Sequence, residues 1–317
     1  MAVEESARTI LDEPVDACLR VLRLDGGKRL QRKHHIAEGR EPHDQVATRV
    51  HRAGIIGSVV VERATRFRSV RLLVPEVDPG RLPDGFDGPG YSPVGRPAVF
   101  GRGGAVALVW PDGRECFVRE YRHGGFLGRV LGRCYLSDSV LRRELEDSAR
   151  LAEGRVEVAR PVLGRVEGRW FCRLALVTEQ VDGRSLGEVV GDACTRGVLQ
   201  QVGQACARMH RLGFRHKDLH PGNVIVRGDG TPVVLDLGGG SWGGAHADTA
   251  AKASLLRMAR WIEKHHGQPV SVPEALGFLS GYEPERGARH ALMRELAQDY
   301  ERTVGRHRLT WRRSSER

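Results

Sequence analysis

Apolar residues recur at two different spacings along the chain, one typical of strands and one typical of helices. The change from one spacing to the other divides the chain into two parts. Runs typical of strands fill the first part and lie at positions 57–61, 70–74, 105–110, 115–121, 156–163 and 171–181. From Thr195 onward the spacing becomes helical, with one apolar stripe made by Val198, Val202, Ala205, Met209 and Leu212. Further helical stretches follow at 249–265, 272–280 and 286–300. The pattern therefore predicts a strand-rich part followed by a helix-rich part.

A segment rich in proline and glycine interrupts the first part. Positions 77–97 hold five prolines and five glycines, and such a composition sustains neither helix nor sheet. We therefore predict a linker at 77–97. Residues 1–76, before it, form an N-terminal extension to which the sequence assigns no role.

Four polar residues stand at fixed spacing in the stretch 212–240, LGFRHKDLHPGNVIVRGDGTPVVLDLGGG. They are His216, Asp218, Asn223 and Asp236. Transfer of the γ-phosphoryl group of ATP needs one carboxylate to orient the alcohol and accept its proton, and oxygen ligands for Mg²⁺. Asp218 fits the first requirement, and Asn223 with Asp236 fits the second. The spacing therefore predicts a phosphoryl-transfer site.

Two apolar runs at 224–226 and 233–235 flank a Gly-Asp-Gly turn at 228–230. This pattern predicts a hairpin that folds Asp236 back beside Asn223. The alternative is that these polar residues are ordinary turn residues, since Asp, Asn and Gly favour loops in any protein.

Residues upstream could bind the nucleotide. Three glycines that precede the strand at 105–110 would let backbone N–H groups approach phosphate oxygens; they are Gly101, Gly103 and Gly104. Arg119, on the next strand, could attract the α- and β-phosphates. Glu144, at the edge of a predicted helix, could reach back to Arg119. Glu179 and Val181, at the end of a later strand, suit main-chain contacts to an adenine ring.

Charge, cysteine usage and the length of the apolar runs restrict the possible partners, the possible metal or disulfide sites and the kind of membrane contact. The formal net charge is +10, so the protein should meet anions such as nucleic acid, phosphorylated ligands or an acidic membrane surface. Six cysteines without a CxxC pair favour reduced thiols over a zinc site or a disulfide framework. No apolar run is long enough to span a bilayer, so any membrane contact would be peripheral.

The order of these parts resembles the protein-kinase-like superfamily, and within it the lipopolysaccharide kinases, most of all the 3-deoxy-D-manno-octulosonic acid (Kdo) kinases. The resemblance covers about residues 98–282. The segments that carry it are VREYRHGGFLGRVLGRCYL, the RREL turn around Glu144, VARPVLGR at 158–165, and GFRHKDLHPGNVIV. The DLHPGN run at 218–223 is shared with aminoglycoside and choline kinase-like enzymes, whereas the YRHGG segment is the narrower feature.

The resemblance implies an α+β, bilobal protein-kinase-like fold with an N-terminal extension. Its β-rich N-lobe would span 98–181, its helical C-lobe 182–300, and a basic tail 301–317. Asp218 would then be the catalytic base, and Asn223 and Asp236 would bind Mg²⁺. Arg119 and Glu144 would form the ion pair that holds the phosphates, and His216 would brace the loop. Arg119 stands where most kinases require Lys, and an arginine fork is not equivalent to an ammonium point charge.

The implied function is an ATP-dependent kinase acting on a sugar hydroxyl of a lipopolysaccharide inner-core precursor, most of all Kdo on lipid A. The implied location is cytoplasmic, peripheral on the inner face of the inner membrane, and no nucleic-acid partner is expected. Two alternatives stay open at this point. One is a soluble small-molecule kinase of the aminoglycoside or choline kinase type, and the other is a pseudokinase that binds nucleotide without turnover.

Overall fold

The chain folds as an α+β protein made of two compact units. The computed structural model describes residues 47–52, 59–64, 69–74, 105–111, 113–123, 131–168, 170–191, 195–243 and 247–315. The first unit comprises residues 1–142 and 161–178, and the second comprises 143–160 and 179–317. The first is built on one sheet and the second mainly on helices, as the hydrophobic pattern predicts.

The first unit holds a seven-stranded sheet. Its strands are β1 (Ala47–Arg52), β2 (Val59–Ala64), β3 (Ser69–Val74), β4 (Val106–Val109), β5 (Glu115–Glu120), β6 (Pro161–Glu167) and β7 (Arg173–Glu179). Their order across the sheet is β1-β2-β3-β6-β7-β5-β4. Strands that are distant in sequence therefore become neighbours in one sheet.

The three strands that precede the predicted linker belong to this same sheet. β3 runs antiparallel to β6, with Val70 opposite Glu167 and Leu73 opposite Gly164. The buried cluster of the sheet consequently includes side chains from both sides of positions 77–97, which lie outside the described residues. Its members are Val70, Leu72, Trp110, Cys116, Val118, Val162, Leu163, Ala175 and Val177. Part of the N-terminal extension is thus an integral part of the sheet.

The second unit contains most of the helices. The helices of the chain are α1 (Ser139–Glu153), which continues from the first unit into the second, α2 (Leu186–Val189), α3 (Thr195–Arg211), α4 (Ala247–His266), α5 (Val272–Tyr282) and α6 (Arg286–Ser315). Short strands complete it: β8 (Arg184–Ser185), β9 (Phe214–Arg215), β10 (Val224–Val226), β11 (Pro232–Val234) and β12 (Ser241–Trp242). Helix α6 continues through most of the predicted basic tail, so the backbone of that segment is helical up to Ser315.

Glycines allow α3 and α5 to pack closely. A Cβ atom at Gly203 would lie 2.0 Å from the carbonyl oxygen of Phe278, and one at Gly281 would lie 1.9 Å from that of Gln200. No side chain fits in either place, so these two positions set the distance between the helices. Of the stripe predicted on α3, Val202, Ala205 and Met209 are buried in the core. Val198 is half-buried, and Leu212, just after the end of the helix, is 40% exposed.

The sequence also predicts reduced cysteines and no segment long enough to span a membrane. Among the described cysteines, Cys116, Cys172 and Cys206 are buried and belong to no disulfide. Cys134, however, is disulfide-bonded, so the expectation of reduced thiols throughout is wrong for this residue. Within the described part of the chain, no helix has the length and apolar character needed to cross a bilayer.

Leu72 tests whether β3 contributes to the core of the first unit. We expect Leu72→Ala to lower the free energy of unfolding by about 2–5 kcal/mol, because its buried side chain leaves a cavity. Val109→Ala, on the exposed face of β4, is the matched control and should change it by less than about 0.5 kcal/mol. Denaturant titration followed by tryptophan fluorescence measures both. Equal effects of the two substitutions would show that β3 is not part of this core.

The buried His210 should make the folded protein less stable in mild acid. Its Nδ1 lies 2.9 Å from the Tyr282 hydroxyl, and burial, together with the nearby Arg215 and His216, lowers its pKa to about 4. The folded state then resists a proton that the unfolded chain accepts below about pH 6.5. Stability should therefore be complete above that pH and fall by about 3 kcal/mol as the pH drops to about 4.

The measurement is the free energy of unfolding at several pH values, for wild type and for His210→Gln. The variant should show a shallower decline between about pH 6.5 and 4, since the buried imidazole is gone. His290→Gln, at an exposed position, is the control and should keep the wild-type slope. An unchanged slope in His210→Gln would contradict the assignment.

Candidate active site

His216 connects the His-Lys-Asp loop to the segment that follows β11. Its Nδ1 accepts a hydrogen bond from the Asp218 N–H at 3.1 Å, so the ring proton sits on Nε2, which donates to the Leu235 carbonyl oxygen at 2.9 Å. The side chain is buried, and this burial lowers its pKa. A neutral imidazole with one fixed tautomer thus links the backbone of Asp218 to the residue that precedes Asp236.

Asn223 is oriented by a bond to the same loop. It ends the 3₁₀ turn Pro221–Asn223, and its Nδ2 donates to the Asp218 carbonyl oxygen at 3.0 Å. The amide nitrogen is therefore directed at the loop backbone, which turns the amide oxygen Oδ1 away from that carbonyl. The sequence motif places an amide here, and the structure shows why an amide suits it: one end fixes the loop and the other remains an oxygen donor.

The hairpin predicted from the sequence is confirmed. Strands β10 and β11 pair antiparallel with Val224 opposite Val234, and the turn is closed by a bond from the Arg227 N–H to the Thr231 carbonyl oxygen. Immediately beyond β11, the Leu235 N–H donates to the Asn223 carbonyl oxygen at 2.9 Å. Asp236 is the next residue, so the hairpin brings it beside Asn223 as expected.

Asp236 has an unusual backbone. Its φ is +53°, and Arg155 is the other non-glycine residue with positive φ in the described part of the chain. Asp tolerates this left-handed conformation better than most residues, although strain at such positions often accompanies a functional site. The charge of Asp236 raises the pKa of both His216 and His220, against the larger lowering effect of their burial.

The carboxylate of Asp218 faces solvent, and His220 lies beside it. The Asp218 side chain is 63% exposed, and its Oδ2 lies 3.6 Å from His220 Nε2. His220 Nδ1 accepts from the Gly222 N–H at 3.1 Å, so Nε2 carries the ring proton toward the carboxylate. His220 also contacts Trp261 of α4, whose ring is parallel to the imidazole within 3° at a centroid distance of 5.7 Å. The sequence pattern did not single out His220, although it stands inside the DLHPGN run.

These residues fit a magnesium ion held partly by phosphates. Asn223 Oδ1 and the Asp236 carboxylate are hard oxygen donors, the type that Mg²⁺ prefers, and Mg²⁺ commonly takes its remaining ligands from water and substrate phosphates. Over the described ranges, no group of three or more His, Cys, Asp or Glu side chains is arranged to hold a metal ion.

Arg119 lies in the first unit and Glu144 in the second. The Arg119 guanidinium carbon lies 4.9 Å from the centre of the Tyr121 ring, a cation–π contact. Its charge also lowers the pKa of Tyr135, which burial raises by more. Glu144 is 5% exposed on α1. The ion pair between Arg119 and Glu144 stays a prediction.

The remaining nucleotide candidates also stay predictions. Glu179 ends β7, and its N–H donates to the Arg160 carbonyl oxygen at 2.9 Å, while Val181 follows in a partly buried turn. The three glycines of the predicted phosphate loop lie outside the described residues; they are Gly101, Gly103 and Gly104. The structure thus brings together His216, Asp218, Asn223 and Asp236, all within the second unit.

The chain is similar to 3-deoxy-D-manno-octulosonic acid kinases of three bacteria. It is 27% identical to that of Xanthomonas campestris over 220 residues, which cover 67% of this chain and 78% of the relative. The match to that of Vibrio parahaemolyticus is 27% over 141 residues, covering 42% and 59%, and that to Stenotrophomonas maltophilia is 30% over 144 residues, covering 43% and 57%.

A family model covers more than half of the chain. The model described as the lipopolysaccharide kinase (Kdo/WaaP) family matches residues 98–282. The matched range contains the hairpin and all four residues that the second unit brings together, and it begins after the three N-terminal strands of the sheet. The chain belongs to the lipopolysaccharide kinase (Kdo/WaaP) family.

Proposed function

We propose that this protein is an ATP- and Mg²⁺-dependent kinase that phosphorylates a hydroxyl of Kdo on lipid A. Membership of the lipopolysaccharide kinase family makes it a phosphotransferase with a sugar hydroxyl as acceptor. The similar Kdo kinases support the specific acceptor. The observation that carries the proposal is the pair of His216 hydrogen bonds, because they tie Asp218 to the residue next to Asp236.

Asp218 acts as the catalytic base in this proposal. Its backbone is held by His216 while its carboxylate is exposed, so an acceptor hydroxyl can reach it from solvent. The acceptor oxygen bonds to the γ-phosphorus, the bond from that phosphorus to the β,γ-bridging oxygen breaks, and the hydroxyl proton passes to Asp218. ADP carries away the electron pair of the broken bond. Positioning of the alcohol is the main contribution that a side chain makes to such a transfer.

Asn223 and Asp236 hold Mg²⁺ in this proposal. When bound, the ion neutralises charge on the phosphates and orients them. The chain contributes a fixed amide, since Asn223 is tied to the Asp218 carbonyl, and a carboxylate placed by the left-handed backbone of Asp236. Both ligands are therefore set by the backbone of the same hairpin.

The nucleotide would be held by residues that come earlier in the chain. We assign the phosphates to Arg119, paired with Glu144, and to backbone N–H groups of the glycine loop at 101–104. Main-chain groups of Glu179 and Val181 would contact the adenine. The cation–π contact between Arg119 and Tyr121 supports the use of arginine here, because a guanidinium stacks on an aromatic ring better than an ammonium does.

We place the protein in the cytoplasm, in peripheral contact with the inner face of the inner membrane. The formal charge of +10 supports this location, since lysine and arginine near an anionic leaflet add favourable binding free energy. A phosphate-rich, acylated acceptor would be met at the same surface. The excess of positive charge thus serves both the membrane and the substrate.

Asp218→Asn tests the catalytic assignment. We expect transfer of radiolabelled γ-phosphate to Kdo–lipid A to fall by about 10²–10⁴-fold, the usual contribution of a general base. Asp229→Asn, a matched change at the exposed turn of the same hairpin, should keep wild-type activity. Unchanged labelling with Asp218→Asn would contradict the proposal, and so would ATP-dependent thermal stabilisation of the wild type without transfer to any sugar, which identifies a pseudokinase.

Asp236→Asn tests the metal assignment. Asn tolerates the same left-handed backbone, so the fold should persist while a negative ligand is lost. We expect the Mg²⁺ concentration that gives half-maximal activity to rise at least about tenfold, because Mg²⁺ binds anionic oxygen more strongly than an amide oxygen. The control is Asp182→Asn, at an exposed position. An identical Mg²⁺ titration for wild type and Asp236→Asn would remove Asp236 from the metal site.

A further inference from the structure

Two cationic residues, Lys217 and Arg257, lie near Asp218 in the structure. Neither has a role in the proposed reaction. Lys217 immediately precedes Asp218. Both residues are exposed, while His216 before them and Leu219 after them are buried. Arg257, on α4, donates a hydrogen bond from Nη1 to the Lys217 carbonyl oxygen. The guanidinium is therefore held beside the backbone of the residue that precedes the proposed catalytic base.

The Lys217 side chain extends toward the loop that follows Asp236. A Cβ atom built at Gly239 would lie 2.9 Å from Lys217 Cδ and 3.5 Å from its Nζ. Gly239 has a φ of +76° and stands three residues after Asp236. The stem of Lys217 thus packs against this glycine, which places the ammonium beside the loop that carries the proposed metal ligand.

Over the ranges that the structure describes, neither Lys217 nor Arg257 forms an ion pair with an acidic side chain; the nearby carboxylates of Asp218 and Asp236 have their own proposed roles. Near Asp218 the chain thus places two side-chain cations, of which Arg257 is held by its hydrogen bond to the Lys217 carbonyl.

We propose that Lys217 and Arg257 form an anion subsite for the acceptor, which binds a carboxylate or phosphate close to the hydroxyl presented to Asp218. The proposal rests on the proposed function, because it assigns the acceptor to that same base. An arginine fork and an ammonium are the usual partners of such anions. The subsite selects an anionic sugar, such as a sugar acid, over a neutral one, and it repels a cationic acceptor such as an aminoglycoside.

The test is steady-state kinetics of Lys217→Met and Arg257→Gln. Met keeps the apolar stem that packs on Gly239, and Gln keeps an amide that can donate to the Lys217 carbonyl. We expect the KM for Kdo–lipid A to rise about tenfold or more in each variant, the effect of losing one charge-assisted hydrogen bond, while the KM for ATP changes less than about twofold. Arg302→Gln, which removes one charge from a side chain 77% exposed on α6, is the control.

Modified acceptors distinguish the two sources of the anion. If the carboxylate of Kdo occupies the subsite, its methyl ester should show the same raised KM with wild type as the variants show with Kdo–lipid A. If a phosphate of lipid A occupies it, the dephosphorylated acceptor should do so instead. A rise in the KM for ATP with no change for the acceptor would overturn the proposal, because the cations would then serve the nucleotide.

A separate measurement keeps this proposal distinct from the proposed function. If the wild type transfers no phosphate to Kdo–lipid A, the proposed function fails, and binding of free Kdo is then followed by NMR titration. Weaker binding of its methyl ester to the wild type, and of Kdo itself to the two variants, would support the subsite. Equal binding of Kdo and its ester to all proteins would overturn it.

Discussion

The candidate site depends on one neutral imidazole. His216 receives the Asp218 N–H on one nitrogen and donates the proton of the other to the Leu235 carbonyl. Both bonds require the same tautomer, because a protonated ring could no longer accept from Asp218. Burial keeps the ring neutral by lowering its pKa. The loop that holds the proposed base and the segment that holds a proposed metal ligand are thereby fixed to each other through a single side chain.

Local spacing is enough to predict the hairpin and the residues it joins. A Gly-Asp-Gly turn between two apolar runs specifies its own register, so the amino-acid order alone places Asp236 beside Asn223. His220 cannot be identified in this way, because its importance comes from Asp218 on one side and from Trp261, which lies on a helix much later in the chain. The positive φ of Asp236 is equally hidden, since no turn signal marks it.

The sheet of the first unit is the least predictable part. Its strands are expected from their apolar runs, with two exceptions. The sequence of β1, ATRVHR, is largely polar, and β6 lies at Pro161–Glu167 whereas the pattern predicts a strand at 156–163. The pairing of β3 with β6, however, joins segments that are far apart in sequence, on opposite sides of the predicted linker. Nothing in a local pattern specifies such a partner. The burial of Leu72 in the shared cluster is what makes the N-terminal strands part of this unit.

The left-handed backbone at Asp236 also bears on how this family can change over time. Side chains that tolerate such a conformation are few, chiefly Gly, Asn and Asp. Most substitutions at this codon would strain the loop, while a single-base change from Asp to Asn or Gly would leave its shape intact. Under the proposed metal role of Asp236, such a change would weaken activity without unfolding the chain, so impaired descendants that retain a well-folded scaffold lie one mutational step away.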